Sequence, residues 1–72
     1  MPTPPEVYET NRDAVIGALR GGAETMGEIE TATALSSTTV WRIVTDLEAA
    51  GVVEEVEPPR QAATYALVEA DP

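Results

Sequence analysis

The sequence predicts an α+β domain: three helices followed by a two-stranded β-hairpin. Three observations predict it. Val40, Ile43, Val44 and Leu47 recur at i, i+3, i+4 and i+7, the apolar stripe of an amphipathic helix. Gly21-Gly22 and Gly51 interrupt the chain where helical periodicity stops. After Gly51 the period shifts toward alternation, in two short runs separated by the turn-forming Pro58-Pro59-Arg60-Gln61.

The first helix has two possible starts. Residues 1–10 are a Pro-rich arm or the start of that helix: Thr3-Pro4-Pro5-Glu6 reads as a capping box with prolines in the first turn. Thr10-Asn11-Arg12-Asp13 is the second candidate. Val15, Ile16 and Leu19 then follow at helical spacing, and the helix ends near Arg20. Thr25, with Glu28 three residues on, caps a short second helix from about Met26 to Thr33, with Met26, Ile29 and Ala32 as its apolar candidates. Ala34-Leu35 makes a tight connection, with Leu35 as an apolar plug, and Ser36 caps the third helix, about 36–50. The hairpin covers about 52–68. Val52 fills the corner, Val53 begins the core-facing set, and Tyr65 and Leu67 share a face of the second strand. The alternation in the first strand is imperfect, so its register stays open. The domain proper is residues 11–68, and 69–72 are a polar tail expected to fray.

Seventy-two residues suffice for one domain with a thin core. The absence of cysteine and histidine excludes disulfides, zinc fingers and thiolate chemistry. Ser36 and Ser37 have no histidine to activate them, and no cofactor or small-molecule substrate is expected, so the chain does not read as an enzyme. Glu54, Glu55 and Glu57 match no known cation cage and read as a solvated face. No apolar run approaches the roughly 20 residues of a membrane span, and residues 1–6 lack the features of a signal peptide, so a cytoplasmic protein is expected.

The charge balance is extreme. Thirteen Asp and Glu against four cations give a net charge of -9, and all four cations are arginines: Arg12, Arg20, Arg42 and Arg60. Two readings are open. One is a basic partner. The other is a multimolar-salt cytoplasm, in which a Debye length of roughly 3 Å at 1 M screens carboxylate repulsion. The missing lysine and phenylalanine and the preference for Ala and Val resemble proteins of halophilic archaea.

The order helix, helix, tight turn, helix, glycine, strand, loop, strand resembles the winged helix-turn-helix family, in particular small bacterial and archaeal regulators of the MarR, ArsR and IclR kind. The likeness rests on residues 26–35, on Ser36-Ser37-Thr38-Thr39-Val40-Trp41-Arg42-Ile43-Val44 and on Leu47-Glu48-Ala49-Ala50-Gly51-Val52-Val53. It implies a sequence-specific transcription regulator of double-stranded DNA, with the third helix in the major groove and the wing on the backbone. Ser36, Ser37, Thr38, Thr39, Trp41, Arg42, Thr45 and Arg60 are the implied contacts. Arg42 can grip guanine O6 and N7, or a phosphate, with its planar fork. Ser37, Thr38 and Thr45 offer hydroxyls, the start of the helix offers amides, and Trp41 offers an apolar ring for thymine methyls or sugar. Arg60 reaches a flanking phosphate or the minor groove from the wing. Paired half-sites about 34 to 36 Å apart make a homodimer expected. No effector-binding domain fits in this length, so signals are expected to act through a partner, concentration or salt.

Plainer readings stand beside these. Trp41 covers the edge of a thin core, packed on Tyr65 or the wing; Arg42 pairs with Asp46 one turn on; Arg60 only solubilises a loop; Arg12 and Arg20 are solvated or paired with Glu9, Asp13 or Glu24. A single arginine in a wing beside Glu54, Glu55 and Glu57 departs from the family pattern, as does Asp46 late in the third helix. The alternative function is an acidic winged-helix adaptor for a protein partner. Placement of charge separates the two: carboxylates crowding the outward face of the third helix and the wing favour the adaptor, and a neutral or positive stripe on those faces favours DNA.

Overall fold

The computed structural model describes residues 4–56 and 63–68. Helices α1 (Pro5–Arg20), α2 (Met26–Thr33) and α3 (Ser37–Ala49) precede an antiparallel hairpin of β1 (Val53–Val56) and β2 (Thr64–Leu67). The expected α+β architecture is therefore present. Arg60 with the expected hairpin tip, Thr3 of the expected first capping box and residues 69–72 lie outside the described residues.

Of the two candidate starts for α1, the chain uses the proline one. Pro4 is the cap residue and makes no side-chain cap bond; its carbonyl instead accepts from the N–H groups of Val7 and Tyr8, each at 3.0 Å. Pro5 in the first turn has a preset φ and no N–H to leave unpaired. The Thr10–Asp13 start is thereby overruled: Thr10 lies inside the helix, and its Oγ1 donates to the Glu6 carbonyl at 2.9 Å.

Both glycine stops close their helices in the same way. Ala23 N–H donates to Ala18 O and Gly22 N–H to Leu19 O after α1, while Val52 N–H donates to Leu47 O and Gly51 N–H to Glu48 O after α3. These paired bonds form the Schellman motif, which places one residue in left-handed backbone. Gly22 at φ +109 and Gly51 at φ +78 supply it without a Cβ clash. Helix α2 ends differently. Ala34 itself takes φ 60, ψ 21 and donates to Glu30 O at 2.8 Å.

The core lies where the three helices meet the hairpin. Val15 and Leu19 of α1, Ile29 of α2, Val40, Ile43, Val44 and Leu47 of α3, and Val53 of β1 are buried. All four apolar positions read from the α3 stripe are among them. Met26, Leu35, Val52, Tyr65 and Leu67 are half-buried against this cluster. Ala32 is exposed, a correction to the expected α2 face: Ile29 points into the core, and the partly covered neighbour one turn on is Thr33 rather than Ala32. Thr33 closes on its own helix, Oγ1 donating to Ile29 O at 2.7 Å.

The register left open by the sequence is Val53↔Leu67, Glu54↔Ala66, Glu55↔Tyr65 and Val56↔Thr64. Facing residues of an antiparallel pair project to the same side. Val53, Tyr65 and Leu67 therefore share the inner face, as expected, while exposed Glu55 lies beyond the core on that face.

Candidate nucleic-acid interface

Helix α3 carries most of the candidate residues, and its start is built locally. Ser36 Oγ accepts from the Thr39 N–H at 3.2 Å and donates to Thr39 Oγ1 at 2.9 Å. These two side chains are thus engaged in the cap, which satisfies one of the otherwise unpaired amides in the first turn of α3. The capping box of α2 holds the preceding helix: Glu28 N–H donates to Thr25 Oγ1, and Glu28 Oε1 accepts from the N–H groups of Thr25 and Glu24. Those donors hold the Glu28 carboxyl below its ordinary pKa.

At about 100° per residue, the buried Val40–Leu47 stripe leaves Thr38, Arg42 and Thr45 on the opposite side of α3. Ser37 and Trp41 lie on the flank toward α2, Thr39 and Asp46 on the flank toward α1. Ser37, Thr38, Trp41, Arg42 and Thr45 are all exposed, and Trp41 is 61% exposed. At that exposure the indole is not part of the buried core. It lines an open groove of about 350 Å³ with Met26, Glu30, Ser37 and Thr38. On the other side, Arg42 lines a groove of about 220 Å³ with Val7, Tyr8, Asn11, Thr38 and Thr39. Met26, Tyr8 and Asn11 were not legible as neighbours of the site, because spacing within one helix does not reveal which helix crosses it.

Arg42 does not pair with Asp46. Among the described residues the one ion pair is Arg12–Asp13 at 3.8 Å, and the Asp46 carboxylate accepts from the Tyr8 hydroxyl. That bond, with partial burial and the negative charge of Asp46, pushes the Tyr8 hydroxyl above its ordinary pKa. From Ser37 to Thr45 the exposed face of α3 carries no carboxylate and one guanidinium, although the whole chain bears a net charge of -9. Carboxylates gather at the other end. Glu48 and Glu55 lie near Tyr65 and, after burial, help to raise its pKa. Exposed Glu54 and Glu55 make the described part of the wing acidic.

Among the described residues no group of acidic side chains could hold a metal ion, and no helix is long and apolar enough to cross a membrane.

No protein-family model and no curated protein matches the sequence. A solved structure does match in shape: the Zalpha domain of Carassius auratus PKZ, in complex with Z-DNA. The likeness has a TM-score of 0.75 at 17% identity and covers 86% of this chain and 98% of that one. The fold is a winged helix. At that identity the likeness concerns the backbone arrangement, and it makes α2 and α3 the helix-turn-helix and the hairpin the wing.

Proposed function

We propose that this winged helix binds double-stranded DNA as a sequence-specific transcription regulator, with the outward face of α3 in the groove. The observation that carries the reading is the carboxylate-free face Ser37, Thr38, Trp41, Arg42 and Thr45 on an otherwise acidic molecule. A net charge of -9 works against phosphate overall, so a helix face spared of carboxylates is the one that favours contact with a duplex. Arg42 supplies the fork for a guanine edge or a phosphate, worth about 1–3 kcal/mol of discrimination when bidentate to the right base. Trp41 supplies apolar contact, and the hydroxyls of Thr38 and Thr45 supply short polar ones.

Charge neutralisation contributes little. Each phosphate contact adds about -0.9 to the slope of log affinity against log salt, so a dimer with about four contacts loses roughly 3.6 log units per tenfold rise in salt. A reader working in concentrated salt depends on base edges, apolar contact and duplex shape instead. The acidic β1 strand limits any backbone contact by the wing to its tip, where Arg60 belongs in this proposal. The halophilic setting, the homodimer on paired half-sites and the cytoplasmic location belong to the same reading.

The duplex bound to the structural neighbour is Z-DNA, which makes left-handed DNA the second candidate ligand. One experiment separates the readings. The protein is used to select duplexes from a random library in molar KCl, with a left-handed alternating dC-dG duplex in parallel and Arg42→Ala as control. The proposal expects an enriched right-handed motif and loss of roughly tenfold or more in affinity for the variant at unchanged melting temperature. Preference for the left-handed duplex would replace sequence reading by shape reading. Failure to retain either duplex would leave the acidic adaptor as the better account.

A further inference from the structure

Helices α1 and α3 meet at one polar contact. The Tyr8 hydroxyl donates to Asp46 Oδ2 at 2.5 Å, joining residues 38 positions apart. Asp46 lies one helical turn after Arg42, so an unheld Asp46 carboxylate has that guanidinium as its nearest partner along the helix. Two interactions thus compete for Asp46. An i, i+4 pair with the cation N-terminal to the anion is the weaker of the two orientations. A hydroxyl bonded to a carboxylate is charge-assisted, roughly twice as strong as a neutral hydrogen bond. The structure shows which prevails: Asp46 is bonded across to α1, and no Arg42–Asp46 pair forms.

The other charged groups around this contact are arranged consistently. The guanidinium groups of Arg12 and Arg42 both act on the Tyr8 oxygen, one from each helix. Arg12 has its own carboxylate in Asp13, at 3.8 Å. The tyrosine ring also lines both neighbouring grooves, one containing Arg42 and the other containing Arg12 and Asp46. Its hydroxyl therefore stands at the point where the acid of α3 can be drawn away from the cation of α3.

We propose that Tyr8 is a positioning residue for DNA binding, which keeps Asp46 on the α1 side and leaves Arg42 unneutralised on the outward face of α3. This rests on the DNA-binding reading above. It assigns α1 a part in the interface without requiring that Tyr8 touch DNA. It also gives Asp46 a structural role that avoids opposing the site.

The test compares wild type, Tyr8→Phe, Asp46→Asn and the double variant, with two readouts. The first is rotation of the Arg42 guanidinium, followed by nitrogen-15 NMR on the free protein. The second is affinity for the selected duplex. Tyr8→Phe should slow the guanidinium rotation, as the released carboxylate engages it, and weaken DNA binding about twofold, the worth of one surface ion pair. Asp46→Asn should bind at least as tightly as wild type, and adding Tyr8→Phe to it should change nothing further. An unaltered Arg42 signal in Tyr8→Phe would overturn the proposal, as would a loss of affinity that persists in the Asp46→Asn background. If wild type binds no duplex, the functional reading fails, while the guanidinium signal still decides the role of Tyr8.

Discussion

The backbone N–H of Tyr65 donates to the carbonyl of Glu24 at 2.7 Å, fastening β2 to the connection between α1 and α2. Strand β2 is thus held on one edge by β1 and on the other by this connection. Val68 N–H adds a bond to Val52 O at 2.8 Å. The root of the wing is therefore fixed relative to the helix-turn-helix, which sets where a tip beyond Val56 can reach. The amide of Tyr65 would be a free edge group without Glu24. Hydrogen exchange should find it protected to the same degree as the α3 core amides; exchange at the rate of a free strand edge would show that the wing is not tied down.

The α2 capping box gives a pH dependence. Glu28 has a folded pKa below its unfolded one, because the N–H groups of Glu24 and Thr25 donate to its carboxylate. A lowered carboxyl pKa adds stability that is present above the unfolded value and is lost as pH falls through the folded one. Denaturation melts should show this loss on the acid side, and Glu28→Gln should remove that part of the pH profile. Thr25→Ala should cost about 1 kcal/mol at neutral pH, since it leaves the Glu28 amide without its acceptor. A profile for Glu28→Gln that parallels wild type in acid would contradict the assignment.

Ala34 occupies left-handed backbone at φ 60, ψ 21 in the turn between α2 and α3. A Cβ in that region costs roughly 1–2 kcal/mol. Ala34→Gly removes the clash at the expense of a more flexible unfolded chain, so a net gain of about 0.5–1 kcal/mol is expected in urea melts. A loss would mean that the methyl contributes packing that offsets its strain.

Salt should stabilise this fold. Among the described residues no carboxylate is buried, and of the acidic side chains only Glu30 is even half-covered. Their mutual repulsion acts through solvent and is screened once the Debye length falls from about 10 Å at 0.1 M to about 3 Å at 1 M. Melting temperature should rise steeply between 0.1 and 2 M KCl. A gain of about 1 kcal/mol corresponds to roughly 4–8 °C for a domain of this size. Superimposable melts across that range would remove the physical basis of the halophilic reading.

Legibility followed the length and regularity of each element. The α3 stripe of Val40, Ile43, Val44 and Leu47 spans two turns, which fixes its phase, and the exposed side with Thr38, Arg42 and Thr45 follows from it. Helix α2 has eight residues and one buried anchor, Ile29, too few to define a phase, which is why exposed Ala32 reads as an apolar candidate in the sequence. Two cap signals competed at the start of α1. Beginning at Pro5 puts Tyr8 on the same stripe as Val15 and Leu19, and only then does it become a candidate neighbour of α3. The groove of Trp41 with Met26 and the contact of Tyr8 with Asp46 depend on how helices cross, which periodicity within one helix does not encode. The β1 register was ambiguous because Glu55 occupies the core-facing side of a strand that outruns the core.

The most direct test of the central claim is a nitrogen-15 NMR titration with the selected duplex in molar KCl, following backbone amides, the Trp41 indole N–H and the Arg42 guanidinium. The account predicts that the largest shifts fall on Ser37, Thr38, Trp41, Arg42 and Thr45, with β1 little affected. A saturating duplex that leaves the indole and guanidinium signals in place, or shifts centred on Glu54 and Glu55, would contradict it.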